Sequence, residues 1–190
     1  MPPRLMQAMF AMSVIGLSWL AMMAVHEIGH VLHALVSGGS VVRVILHPLA
    51  ISRTDVAPNP HPQFVAWGGA CWGTLIPLGL WLLVRWLAPK YAFLAAFFAG
   101  FCLIANGLYL AADSFTGVGD GGDLLSHGAA AWQLLLFGVP ATIAGFWLWH
   151  GLGPRLGLGL PVGDLTWRLA IIATVAFVAV VAAESRLSSS

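Results

Sequence analysis

The chain has 190 residues, of which 59% are hydrophobic and only 8% charged, with a formal net charge of +1 and a mean hydropathy of +0.90. A soluble domain carries about 25% charged residues, so this composition excludes a soluble enzyme with an ordinary core and predicts an integral membrane protein. The near-neutral charge excludes nucleic acid as a partner, and the length fits one domain.

A bilayer core about 30 Å thick takes about 20 apolar residues per helix, and five segments fit. The first runs from about Met9 to Val36 and stops at Ser37-Gly38-Gly39. It is too long for a cleavable signal and lacks a cleavage site, so it is expected to remain in the mature chain. Inside it stands His26-Glu27-Ile28-Gly29-His30. Residues four apart share a helix face, so His26 and His30 can grip one metal ion while Glu27 beside them acts as a general base. The chain has only two glutamates, and one is here. An ionisable residue at the centre of a span costs roughly 2.5–3.5 kcal/mol on insertion scales and marks a functional site by default. Met9 and His26 are separated by roughly 26 Å of helix at about 1.5 Å per residue. The motif therefore lies near the far side of the membrane from the N-terminus, where water can reach it. His33 is a further candidate ligand, read first as an interfacial or hydrogen-bonded side chain.

Val41 to Ile51 is rich in β-branched residues and reads as a short strand or hairpin. It is either an element near the metal that pairs with an extended peptide, or a surface connector. Asn59-Pro60-His61-Pro62 is a loop. The second span covers about Phe64 to Leu87, and its small residues from Gly68 to Gly73 predict close packing on the first helix, beside the metal. The third covers about Tyr91 to Ala112. Asn106 lies deep within it, placed to brace the site, to bind a substrate backbone or to hydrogen-bond a neighbouring helix.

Next comes Gly117-Val118-Gly119-Asp120-Gly121-Gly122-Asp123, whose glycines allow a sharp turn close to a metal. Catalytic zinc takes three protein ligands and keeps a position open for water. Asp120 and Asp123 are the candidates for the third, the other orienting a ligand from behind. Alternatively, they cap the next helix. The fourth and fifth spans cover about Ala129 to Trp149 and Leu165 to Ala183, joined by a Gly/Pro-rich turn from Gly151 to Pro161, and a serine tail follows. Cys71 and Cys102 read as small buried hydrophobes, and His47, His61, His127 and His150 as ordinary residues near segment ends. Arg4, Arg85, Lys90, Arg155 and Arg168 fall on one side of this arrangement and Arg43, Arg53 and Arg186 on the other, which favours a cytoplasmic N-terminus.

The arrangement resembles the site-2 protease family of intramembrane zinc metalloproteases over about Met9 to Leu125. The resemblance rests on His26 to His30 in a membrane helix, the strand-like segment after it, the small-residue patch Gly68 to Gly73, and Asp120-Gly121-Gly122, which is similar to the family's Leu-Asp-Gly motif. It implies that His26, His30 and Asp120 bind one zinc ion and that Glu27 is the catalytic base.

The expected protein is thus an all-α, polytopic membrane protein with about five spans and a short strand or hairpin between the first two. It forms one domain over 1–190, with a core at 9–125 and accessory helices at 129–149 and 165–183. The expected activity is zinc-dependent endoproteolysis of a membrane-protein substrate, within a bilayer of bacterial type. The rival readings are a catalytically idle, zinc-stabilised scaffold and a metal transporter.

Overall fold

A computed structural model describes residues 3–156 and 167–187. The Gly/Pro-rich connection beyond Leu156, the expected start of the fifth span at Leu165 and the serine tail lie outside the described residues.

The elements run α1 (Pro3–Val36), β1 (Val41–Ile45), β2 (Arg53–Val56), α2 (Pro62–Leu87), α3 (Ala92–Thr116), α4 (Gly119–Ser126), α5 (Ala131–Trp149) and α6 (Trp167–Leu187), with 3-10 turns at Pro89–Tyr91 and Gly153–Leu156. Five of the helices, all but α4, are long and apolar enough to cross a membrane. In hydrocarbon each backbone polar group must be satisfied within the protein, which a helix does by itself. The expected all-α polytopic fold with a hairpin after the first span is therefore what forms.

Local chemistry sets the helix ends. Pro62 opens α2, where its missing N–H leaves nothing unpaired. Gly117 closes α3 in the left-handed region, φ 64°, and its N–H bonds the carbonyl of Asp113.

Four features differ from expectation. Helix α1 begins at Pro3 rather than near Met9, and α3 runs to Thr116 rather than Ala112. The hairpin's second strand lies beyond Ile51, because it is made by pairing rather than by its own composition. Arg43 opposes Asp55 across the antiparallel ladder and bonds it at 3.0 Å, while Arg53 reaches the same carboxylate at 3.1 Å. The fourth difference is the glycine-rich segment, which turns at Gly117 to Gly119, both of these glycines in the left-handed region, and then becomes α4. The Asp113 carboxylate accepts the Gly121 N–H at 3.3 Å and ties the new helix back to α3.

Helix α3 is the spine, packing on α2 and α5, while α1 packs on α2 and α6. Of the apolar stretch of α3, 56% is buried, against 6% for α6, so α6 shows most of its surface to lipid. Glycines set the two tightest crossings. A Cβ on Gly29 of α1 would collide with the Gly68 carbonyl of α2, and one on Gly68 with the Gly29 carbonyl. In the same way Gly107 and Gly138 seat α3 on α5. Without a hydrophobic drive between helices in lipid, such close van der Waals contact is a main source of association.

The alternating chain direction puts the N-terminus of α1, the ends of α2 and α5 and the starts of α3 and α6 at one end of the bundle. The hairpin and α4 lie at the other. Gly68→Ala should lower the thermal midpoint in detergent through overpacking of about 1–3 kcal/mol. Gly79→Ala, where an added Cβ meets nothing within 4 Å, should leave it unchanged or raise it, so equal melting curves for the two variants would contradict this crossing.

Candidate metal centre

His26 and His30 lie one turn apart on the face of α1 that meets α2 and α3, with relative exposures of 9% and 7%. Asp120 arrives from the first turn of α4. Its Oδ2 is 2.8 Å from His26 Nε2 and 3.3 Å from His30 Nε2, and the two Nε2 atoms are 3.0 Å apart.

The far side of each ring fixes its tautomer. Asn106 donates its amide N–H groups to the carbonyls of Cys102 at 2.9 Å and Gly73 at 3.4 Å. This turns its Oδ1 toward His26 Nδ1 at 2.7 Å. The only hydrogen on that contact belongs to His26, so Nδ1 carries the proton and Nε2 presents a lone pair. His30 Nδ1 faces the Val65 carbonyl at 2.9 Å, which imposes the same tautomer. Two imidazole lone pairs and a carboxylate oxygen therefore converge on one point.

Three acceptors in contact repel unless a cation lies among them. A proton shared between the rings and the carboxylate answers this in part, and a metal ion answers it fully by displacing that proton. Tetrahedral zinc ligands stand roughly 3.3 Å apart, close to the separations here. The group His26, His30 and Asp120 could thus hold a metal ion.

Space for the ion comes from α2. A Cβ on Gly69 would fall on both His Nε2 atoms, so glycine at this position keeps the centre of the triad open. Gly73 likewise makes room for the Asn106 amide.

Burial by itself would raise the Asp120 carboxyl. The proton shared with the His26 and His30 rings, through its hydrogen bond and its charge, outweighs burial and holds the group well below the usual carboxylate range. Asp120 is accordingly ionised across the neutral range, as a ligand must be.

Glu27 is 2% exposed. Its Oε2 accepts a 2.6 Å hydrogen bond from the Thr54 hydroxyl. In β2, Arg53 and Asp55 point to one face and Thr54 to the other, so the ladder that pairs Arg43 with Asp55 aims Thr54 at α1.

Of the residues singled out from sequence, His26, His30 and Asp120 come together, and Asn106 stands directly behind His26 as a brace. Asp123 does not join them. It is exposed on α4. His33 bonds the Phe64 carbonyl at 2.6 Å and stacks on the Phe64 ring, centroids 4.0 Å apart, away from the triad.

Sequence reasoning missed Thr54, Asp113 and Tyr109, and read Gly69 only as part of a packing patch. Tyr109 packs edge-on against His26 at 6.2 Å. Asp113 was detectable as a carboxylate in an apolar run, but Thr54 carries no signal of its own. No protein-family model, curated protein or solved structure matches this chain.

Metal analysis of purified variants tests the site. Asp120→Ala should lose most of the bound metal and Asp123→Ala should keep it. Retention by the first and loss by the second would move the ligand to Asp123. Asn106→Ala leaves the ligands in place but frees the His26 ring, and should weaken metal binding about 10–100-fold in a competition titration with a chelating dye.

Proposed function

We propose that this protein is a zinc-dependent intramembrane endopeptidase of the site-2 protease type. The observation that carries the reading is a buried glutamate next in sequence to a histidine of the triad, held on one oxygen by Thr54. A site that only needed metal for stability would have no use for such a group.

Zinc bound by His26, His30 and Asp120 would polarise the scissile carbonyl and bring the pKa of its water toward about 7. Nitrogen and oxygen ligands in this set suit zinc. Glu27 takes a proton from the attacking water through the carboxylate oxygen that Thr54 leaves free. It then returns that proton to the amide nitrogen as the C–N bond breaks, so the leaving group departs as an amine. Asn106 and the Val65 carbonyl keep both ligand rings in the required tautomer throughout.

The substrate is a membrane-spanning segment of another protein, locally unwound so that its backbone is extended. Among the described residues the sheet has two strands, so each keeps an outer edge. Such an edge accepts an extended chain by strand addition and lies on the element that carries Thr54. On this reading the binding edge expected within Val41 to Ile51 is that of β1, and β2 offers a second one beyond Ile51.

The test is cleavage of a reporter transmembrane segment by purified protein in detergent, with bound metal measured in parallel. Glu27→Gln should keep its zinc and lose cleavage by at least about 100-fold, the low end for a positioned acid–base group. Full activity in that variant would overturn the mechanism. Absence of cleavage by the unaltered protein on every membrane segment offered would favour the scaffold reading.

A further inference from the structure

At the end of the bundle away from the metal centre a cavity of about 470 Å³ opens between α2, α3 and α5. Its polar lining is basic: Arg85 from the last turn of α2, His150 at the end of α5 and Arg155 from the following 3-10 turn. Trp81 and Trp147 flank these groups, and Phe93 and Leu148 supply part of the apolar lining.

The charge distribution makes this cavity unusual. At the hairpin end Arg43 and Arg53 are both paired with Asp55. All the carboxylates among the described residues, Glu27, Asp55, Asp113, Asp120, Asp123 and Glu184, belong to the metal-centre end. At the cavity end, among the described residues, Arg85, Lys90 and Arg155 have no acidic partner, and Arg85, Lys90 and Arg168 rest on aromatic rings instead. Arg85 lies over Trp81 at 5.7 Å, Lys90 over Tyr91 at 5.7 Å and Arg168 over Trp167 at 5.6 Å. Tryptophan and tyrosine at this level form the belt that marks a headgroup region. Helix C-terminal dipoles favour cations here, but they supply no anion.

We propose that this cavity binds an anionic phospholipid of the surrounding leaflet. Arg85 and Arg155 hold the headgroup phosphate, since guanidinium forks match its oxygens, and the acyl chains run down past Phe93 and Leu148. Basic pockets between spans on the cytoplasmic side are suited to such headgroups, and the excess of positive charge assigns this end to that side. The proposal is independent of any peptidase activity.

Native mass spectrometry of the full chain, delipidated and then titrated with phosphatidylglycerol or phosphatidylcholine, tests it. Phosphatidylglycerol should bind about tenfold more tightly, a difference of about 1.4 kcal/mol. The preference should vanish in the double variant Arg85→Gln/Arg155→Gln and persist in Arg4→Gln/Arg168→Gln, which removes the same charge from the same end but outside the cavity. Unchanged metal content in both variants reports that they are folded. Equal binding of the two lipids, or equal loss in the two variants, would overturn the site, the latter because diffuse charge would then suffice. Competition by inorganic phosphate at the concentration of the lipid would overturn the phospholipid as occupant.

Discussion

The crossing of α1 and α2 at Gly29 and Gly68 is the constraint on which the metal centre depends. With backbone touching backbone, the Val65 carbonyl comes within reach of His30 and Gly69 comes to lie over the paired Nε2 atoms. Any side chain at Gly29 or Gly68 would separate the helices. The His30 ring would then lose the acceptor that fixes its tautomer, so a packing defect would become a defect in ligand chemistry.

Holding the triad also solves an electrostatic problem. A carboxylate, two imidazoles and a second carboxylate lie within a mostly apolar bundle, where unpaired charge is strongly disfavoured. Each group has a specific partner: Asn106 and Val65 behind the rings, Thr54 on Glu27, and the rings themselves on Asp120. The convergence of acceptors is the remaining unfavourable feature, and it is the one that a bound cation relieves. The fold thus commits its few polar residues to orientation and leaves the charge balance of the site to any cation that it holds.

Those parts governed by long apolar runs were legible in the sequence. The five spans follow from segment length against bilayer thickness, and His26, Glu27 and His30 from helical spacing within one of them. What was not legible depends on contacts between distant segments. Arg53-Thr54-Asp55-Val56 has no apolar pattern and becomes a strand because β1 pairs with it. The glycine-rich stretch reads as a turn because glycine is a poor helix former. It folds as α4 because Asp113 and the left-handed Gly117 hold its start. Asp120 and Asp123 are about 60° apart around such a helix. Only the phase set by those tethers decides that the first faces the histidines and the second faces away.

The hairpin could be read from sequence either as a surface connector or as part of the site. The Thr54–Glu27 contact decides between them in structural terms. A buried glutamate in a span needs a donor, and α1 cannot provide one from its own backbone, whose N–H groups are committed to the helix. That donor comes from a strand whose position rests on its antiparallel ladder with β1 and on the Arg43–Asp55 pair across it. Anything that displaces β2, including a chain pairing along its edge, therefore acts directly on the hydrogen bonding of the Glu27 carboxylate. The hairpin and the Glu27 carboxylate form one mechanical unit, although 27 residues separate Thr54 from Glu27 in the chain.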